Sequence, residues 1–261
     1  MNLIKISHFL QIAIICCFFS CKTQTEETVV KNVAAVETAA EEAAAVETGL
    51  ETKLIYRENL LPIVKKSLAF HDPRAVFDQA EISCNIVSTT AKDTTQRKRK
   101  VVFNTAKGSF SMQQKRDGKE ESFQVPIPTS LIDSTVIARS MMYKKYFRYM
   151  LGGANVLADS AAIIEESVKD TLFNNLAAKE ISVKYEQPVD ETPHWYFTID
   201  ANTGEMLQSR FVYNEGKENE RGEFINYGPY VSYKGMQLTS ELNWYYLNGD
   251  FLAKEKIEYL D

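Results

Sequence analysis

The predicted fold follows from one stretch of sequence, His194-Trp195-Tyr196-Phe197-Thr198-Ile199-Asp200, with Asn202-Thr203-Gly204 after it and a second apolar segment at residues 206–214. Aromatic and β-branched residues dominate the two outer segments, as is typical of β-strands. The Asn and Gly between them favour a tight turn. Strands joined by so short a connection run antiparallel, because parallel neighbours need a long crossover. This stretch therefore predicts an antiparallel hairpin.

Similar segments continue in both directions from this hairpin, with turn signals such as Asp117-Gly118 and Asn248-Gly249-Asp250 between them. The predicted strands are residues 80–88, 99–104, 109–115, 121–125, 163–172, 178–186, 195–200, 206–214, 222–233, 236–247 and 251–260. Regular strands with short turns predict an antiparallel meander. The lack of an alternating strand–helix rhythm excludes a parallel-sheet enzyme, a (β/α) barrel and a dinucleotide-binding fold.

Two helices accompany these strands. Apolar residues recur at helical spacing in residues 60–70, and His71-Asp72-Pro73 ends that helix. A second helix begins at Asp133 or Ser134, either of which can cap it, and runs to about Leu151 before a Gly-Gly pair. The second helix is rich in Met, Tyr and Phe.

The composition is that of an ordinary globular protein, with 261 residues, 44% hydrophobic and 25% charged. There are 30 Lys and Arg against 35 Asp and Glu, for a formal net charge of −5, so nothing indicates nucleic-acid binding. The run Arg97-Lys98-Arg99-Lys100 is predicted to be a solvated strand entry, and the alternative is contact with anionic lipid headgroups or with the acidic face of a partner. His71, His194 and Cys84 lie far apart and lack the spacing of a zinc site, so we predict no metal and no cofactor.

The first 20 residues predict a secretory signal. Their apolar run at residues 9–19 is too short for a transmembrane helix, which needs about 20 apolar residues. The run ends in Phe18-Phe19-Ser20-Cys21, which resembles the lipobox of bacterial lipoproteins. That resemblance implies cleavage before Cys21 and attachment of acyl chains such as palmitate to this residue. The alternatives are an ordinary secretory signal followed by a chance cysteine, and lipidation at Cys16 or Cys17.

The chain then divides into three parts, with residues 1–20 as the signal peptide, residues 21–53 as the lipidated cysteine and a flexible acidic linker, and residues 54–261 as a single domain. The linker is rich in Ala, Glu, Thr and Val and has no aromatic residue before residue 54, so it buries little apolar surface. As a flexible coil it would span about 30 Å and hold the domain clear of lipid headgroups. The alternative is an amphipathic partner helix. The predicted location is the outer membrane of the cell envelope, on the periplasmic side or the surface.

Several short segments of the domain carry a resemblance to a known family. They include Tyr146-Phe147-Arg148-Tyr149-Met150-Leu151-Gly152-Gly153, Ile181-Ser182-Val183-Lys184-Tyr185, the segment 194–200 and Trp244-Tyr245. On these residues the chain resembles an uncharacterised lipoprotein family of Bacteroidota. The hairpin at residues 196–210 also resembles the LolA/LolB type of lipoprotein carrier. That resemblance implies an α+β fold, mainly antiparallel β, in which a strongly curved meander sheet forms an unclosed barrel with a few helices on its concave face.

In such a fold the second helix would face the strands across a space that holds acyl chains. The candidate ligand-binding residues are Met142, Tyr143, Tyr146, Phe147, Tyr149, Met150, Trp195, Phe197, Phe211 and Trp244. Met side chains adapt to varied apolar partners. The alternative for each of these residues is ordinary core packing.

We therefore expect a monomeric, non-catalytic protein that is anchored to the membrane by its N-terminal lipid and binds a hydrophobic ligand, such as an acyl chain or a lipid-like molecule. One alternative is a structural or interaction protein of the cell envelope with a filled core. A further alternative is a hydrolase that uses His71 as a general base oriented by Asp72.

Overall fold

A computed structural model describes residues 60–92, 96–116, 118–129, 133–159, 161–185 and 193–261, all within one compact unit. The predicted signal peptide, Cys21 and the linker of residues 21–53 lie outside the described residues, so the proposed boundaries of these segments stay predictions.

The described part of the chain contains two α-helices, α1 (Pro62–His71) and α2 (Ser134–Gly152), and two short 3₁₀ segments, Phe77–Gln79 and Gly153–Ala158. The strands are β1 (Glu81–Thr90), β2 (Arg97–Asn104), β3 (Ser109–Arg116), β4 (Lys119–Val125), β5 (Ala162–Phe173), β6 (Leu176–Tyr185), β7 (His194–Asp200), β8 (Met206–Tyr213), β9 (Arg221–Tyr227), β10 (Tyr230–Tyr233), β11 (Met236–Thr239), β12 (Glu241–Tyr246) and β13 (Phe251–Leu260).

Eleven of these strands form one sheet in the order β4-β3-β2-β1-β13-β12-β9-β8-β7-β6-β5, and β10 pairs with β11 in a separate two-stranded sheet. Every pairing among the described strands is antiparallel. The large sheet has two different edge strands, β4 and β5, so it is not closed. These observations confirm the predicted fold class, a mainly antiparallel α+β protein with an unclosed sheet.

The sheet departs from a simple meander at two places. The last strand, β13, pairs with the first, β1, and β12 pairs with β9 across the inserted β10–β11 hairpin. The predicted strands at residues 222–233 and 236–247 are therefore each two strands. Gly228 explains the first break, because a Cβ there would lie 2.6 Å from Glu241 Cβ, and Pro229 has no N–H for a ladder.

Helix α2 begins at the predicted cap. The Asp133 carboxylate accepts hydrogen bonds from the backbone N–H groups of Thr135 and Val136 at 2.8 and 3.3 Å. Such a cap satisfies donors that the first helical turn leaves unpaired. The helix ends before Gly153, whose φ of +50° is readily adopted by glycine.

The contacts of α2 show that the sheet is strongly curved. Tyr143 packs on Phe123 of β4 with ring centroids 4.9 Å apart, and Tyr149 packs on Tyr185 of β6 at 5.3 Å. The two tyrosines are separated by a helical rise of about 9 Å. The strands β4 and β6 are nine positions apart in the sheet order, which on a flat sheet would be about 43 Å. The sheet must therefore curl around the helix.

Candidate functional site

We define the inner face as the side of the large sheet that α2 covers, and the outer face as the opposite side. Eight of the ten predicted ligand-binding side chains are buried, with exposed fractions of 6% or less: Tyr143, Tyr146, Phe147, Met150, Trp195, Phe197, Phe211 and Trp244. The other two, Met142 and Tyr149, are half-buried. The helix and strands thus bring most of the predicted set into the interior.

Helix α2 contacts the inner face through stacked aromatic rings. Tyr149 stacks on Trp195 with centroids 5.5 Å apart and an interplanar angle of 18°. Tyr146 stacks on Trp244 at 5.9 Å and 15°. Trp195 in turn contacts Phe211 at 5.0 Å. The rings of the helix therefore rest directly on an aromatic wall that extends across β12, β7 and β8.

A buried polar centre lies among these rings. The Arg99 side chain is 1% exposed and donates hydrogen bonds to the Glu255 carboxylate and the Ser88 hydroxyl. The Tyr146 hydroxyl donates to Glu255 at 3.0 Å. Burial alone would lower the pKa of Arg99, but the Glu255 carboxylate raises it above its ordinary value. Burial and Glu255 also raise the pKa of Tyr146. The centre is therefore an ion pair with a neutral phenol.

A second polar contact joins α2 to the edge strand β4. Arg139 donates two hydrogen bonds to the Glu121 carboxylate, at 3.1 and 3.2 Å, and its guanidinium lies 4.6 Å from the Phe123 ring centroid. Gln114 donates to the same carboxylate at 2.5 Å, and in the strand register it lies directly opposite Arg99. Polar side chains thus form a row across β4, β3 and β2 on the inner face.

The prediction that residues 97–100 are solvated is wrong for Arg99. Val101 and Phe103 are 0% and 1% exposed, and strand alternation puts Arg99 on the same inner face. Lys98 and Lys100 alternate to the outer face and are exposed, as predicted. The alternation of the following residues is the sequence signal that locates Arg99.

His71 lies at the end of α1 and is 1% exposed. Its Nδ1 donates to the carbonyl of Gln237 at 3.1 Å, and its Nε2 accepts the backbone N–H of Met206 at 3.0 Å. Burial lowers the pKa of His71 to about 4, so the ring is neutral at physiological pH. The Asp72 carboxylate accepts the backbone N–H groups of Val76 and Phe77. Because backbone groups occupy both ring nitrogens, the geometry does not support His71 as a general base.

The outer face carries a hydrogen-bonded cluster that the sequence analysis missed. Ser182 bonds to Nε2 of His194, and Nδ1 of His194 lies 3.0 Å from a Glu215 carboxylate oxygen. The Tyr196 hydroxyl also donates to Glu215, at 2.7 Å. The order of contacts is that of a Ser–His–acid site. However, Glu165 lies 3.8 Å from the same Nε2, and its negative charge disfavours an oxyanion at Ser182. We interpret the cluster as a cross-strand surface network.

A groove of about 580 Å³ lies on the outer face of strands β1–β4. Its lining includes Lys98, Lys100, Lys115 and Glu120, all of which are exposed. The groove is polar and of mixed charge, and it does not include the predicted ligand-binding residues.

The described residues show neither a metal site nor a membrane-spanning helix. No group of three or more His, Cys, Asp or Glu side chains in this part of the chain is arranged to hold a metal ion. No helix there combines the length and the apolar composition that crossing a bilayer requires.

No known family model matches the sequence, and no curated protein is significantly similar to it. Solved structures with a similar chain path exist at very low identity. A domain described as an outer membrane lipoprotein-sorting protein, from Vibrio parahaemolyticus, is 10% identical, with a TM-score of 0.43 over 78% of this chain and 93% of that one.

Two other structures match to a similar extent. A DUF1329 family protein from Desulfovibrio piger is 7% identical, with a TM-score of 0.43 over 75% of this chain and 90% of that one. A LolA superfamily protein from Nitrosomonas europaea is 10% identical, with a TM-score of 0.38 over 76% of this chain and 90% of that one. Similarity at this level says nothing about what this chain binds.

Proposed function

We propose that the chain is a non-catalytic, lipid-anchored protein of the cell envelope, resembling the Bacteroidota lipoproteins, and that its domain binds an apolar chain between α2 and the inner face of the sheet. The observation that carries this proposal is the stacking of Tyr149 on Trp195 and of Tyr146 on Trp244. Helix α2 packs against the concave side of the curved sheet, and its aromatic rings stack on those of the inner face.

An apolar ligand would enter by replacing these ring contacts. A stacked aromatic pair contributes about 0.5–1.5 kcal/mol beyond the area it buries. Each buried methylene contributes about 0.8 kcal/mol. Burial of about a dozen methylenes therefore offsets the loss of two or three stacked pairs. This holds if the ligand covers the inner-face rings that α2 no longer contacts.

The two tryptophans supply a direct test, because the chain has only 2 Trp and both lie on the inner face under α2. A fatty acid brominated in mid-chain quenches tryptophan that it touches. We expect such a fatty acid to quench the emission of the purified protein saturably, with Trp195→Phe and Trp244→Phe each removing part of the quenched signal. Free bromide ion at the same concentration is the control. No quenching by the brominated chain, together with a ligand-free mass in native mass spectrometry, would contradict binding in the interior.

The anchor is proposed from the N-terminal sequence, Phe18-Phe19-Ser20-Cys21. Three acyl chains would hold the protein at the membrane, since one chain alone gives only marginal binding. We expect labelled palmitate to be incorporated in a bacterial host that processes lipoproteins, and Cys21→Ser to abolish the label. The matched controls are Cys16→Ser and Cys17→Ser, which should leave it unchanged. Loss of label in either control would move the anchor to that residue.

A second function is supported by a different observation. Leu172 and Leu176, at the tip of the β5–β6 hairpin, are 71% and 50% exposed. In the interior, the aromatic rings of α2 and of the inner face already pack against one another. Both facts favour a structural or interaction protein of the envelope with a filled core. This alternative would be supported if the brominated fatty acid did not quench the protein, and if the protein formed a stable complex with an envelope partner that Leu172→Ser abolished.

A further inference from the structure

Glu223 lies on the inner face of β9. Its neighbour two residues along the strand, Ile225, is fully buried, and strand alternation places both side chains on the same side. In the register Glu223 is directly opposite Phe211 of β8 and Tyr246 of β12. Directly opposed residues have Cβ atoms about 5 Å apart, so an aromatic side chain flanks the carboxyl group on each side.

Among the described residues, no hydrogen bond or ion pair reaches the Glu223 carboxyl group, whereas the Glu255 and Glu121 carboxylates of the inner face are paired with arginines. The cation closest along the strand, Arg221, places its guanidinium over the Tyr213 ring at 5.0 Å. Burial raises the pKa of Glu223 to about 7. An ionised carboxylate here lacks the compensation that buried charges need.

The flanking rings connect Glu223 with the proposed ligand-binding wall. Phe211 contacts Trp195 at 5.0 Å, and Trp195 stacks on Tyr149 of α2 at 5.5 Å. Glu223 itself is half-buried, so the residue is not sealed in the interior. The carboxyl group therefore lies at the rim of the aromatic wall, where the head of a ligand would lie if its tail followed the wall inwards.

A carboxylate between aromatic rings is chemically suited to an ammonium group. The carboxylate attracts the positive charge, and the ring faces attract it through their quadrupoles. Above about pH 7, where Glu223 is ionised, a carboxylate head would be repelled by it, and a hydroxyl head would leave the charge uncompensated. The ammonium group is therefore the head that this arrangement favours.

We propose that Glu223 binds the ammonium head of an amphiphilic ligand whose apolar tail lies along the inner face against Phe211 and Trp195. This inference rests on the proposed function, because it names the class of ligand that the interior takes. It makes Glu223 a specificity-determining residue that distinguishes cationic amphiphiles from neutral and anionic ones of the same length.

The test uses the full chain and three probes of equal length, namely dodecylamine, dodecanol and dodecanoate, titrated below their micelle concentrations while tryptophan emission is followed. We expect dodecylamine to bind about tenfold more tightly than dodecanol, and dodecanoate more weakly than either. In Glu223→Gln the preference for the amine should disappear while the affinity for dodecanol is unchanged. Glu218→Gln, at an exposed position on the preceding loop, is the matched control and should keep the preference.

The outcomes separate this inference from the proposed function. If all three probes bind with equal affinity and Glu223→Gln changes nothing, the ammonium site is overturned while binding in the interior stands. If Glu223→Gln loses dodecanol as well, the residue is structural and the inference fails. If no probe changes the tryptophan emission, the proposed function fails and this inference with it.

Discussion

The Nε2 atom of His71 accepts the backbone N–H of Met206 at 3.0 Å, which joins the end of α1 to the start of β8. The other ring nitrogen donates to the Gln237 carbonyl in β11 at 3.1 Å. One neutral imidazole thus joins three elements that are distant in sequence. Its role is to satisfy two buried backbone groups, which fixes the position of α1 against the strands.

We predict that His71→Ala destabilises the domain by about 2–4 kcal/mol, because it leaves a buried N–H and a buried carbonyl unpaired. Urea denaturation measures this loss. The pKa of His71 is lowered from 6.5 to about 4, so the unfolded chain binds a proton more readily than the folded one. The wild type should therefore lose stability as pH falls from about 6.5 towards 4, and the variant should lose less over the same range. Equal pH slopes in both proteins would contradict the assignment.

Arg99 and Glu255 form a buried ion pair, so the loss of stability on replacing one residue depends on whether the other is present. We expect Arg99→Met to cost about 3–5 kcal/mol, because it leaves the Glu255 carboxylate buried without its cation. The double variant Arg99→Met/Glu255→Leu should be distinctly more stable than Arg99→Met alone. Tyr146→Phe, which removes a single hydrogen bond to the Glu255 carboxylate, should cost less, about 1.5–3 kcal/mol. Thermal unfolding of the three variants measures these differences, and a double variant as unstable as Arg99→Met would refute the coupling.

Glu223 should make the domain less stable at high pH. Burial raises its pKa from 4.5 to about 7, so the folded state holds the proton more tightly than the unfolded one between these values. This contribution is present at low pH and is lost as pH rises from about 4.5 to 7. We predict that Glu223→Gln is more stable than the wild type by about 1–3 kcal/mol at about pH 8 and similar to it near pH 4.5. A variant with the same advantage at both pH values would show that the gain is not electrostatic.

Cys84 should be inert towards thiol reagents while the domain is folded. It is fully buried in β1, and burial raises the pKa of its thiol to about 12. In a chain whose Cys16, Cys17 and Cys21 are replaced by Ser, we expect Ellman's reagent to react with Cys84 at the rate of unfolding. The rate should then rise with urea as the unfolding rate does. Rapid reaction in buffer alone would show that β1 opens locally.

The local elements of the fold could be predicted because their signals are local. Asp133 is a good helix cap, and the Gly and Asn turns mark where strands end. The prediction failed at Gly228-Pro229, where aromatic and β-branched residues on both sides read as one strand. Gly228-Pro229 is itself a turn signal, and Pro229 has no N–H for a strand ladder, but the apolar residues around this pair obscured it.

The pairing of β1 with β13 could not be predicted from the strand pattern. Register depends on which faces are buried and which strands meet, and the two partners are separated by most of the domain. The same limit applies to the interior. The aromatic residues of α2 and β7 were predicted to face each other, and Tyr149 and Trp195 do so. Their roles in ligand binding stay predictions.

The polar residues of the interior were missed for a different reason. Arg99 lies in a run of four cations, and charge is ordinarily a signal of exposure. Glu223 follows a glycine in a segment with no strict alternation, so its face could not be assigned. For Arg99 the alternation of Val101 and Phe103 was a usable signal that the charge run obscured, whereas the face of Glu223 depends on the neighbouring strands, which only the three-dimensional structure supplies.

The central position of β13 has a consequence for the order in which the protein can be assembled. A ribosome makes this segment of 10 residues after every other strand that the structure describes, yet it is the strand that links β1–β4 to the remaining strands of the large sheet. Until it emerges, the two halves of the sheet have no shared ladder. Before β13 is made, the large sheet therefore cannot form as one continuous ladder, and a variant without these residues would keep β1–β4 and the remaining strands as two separate ladders that only α2 spans.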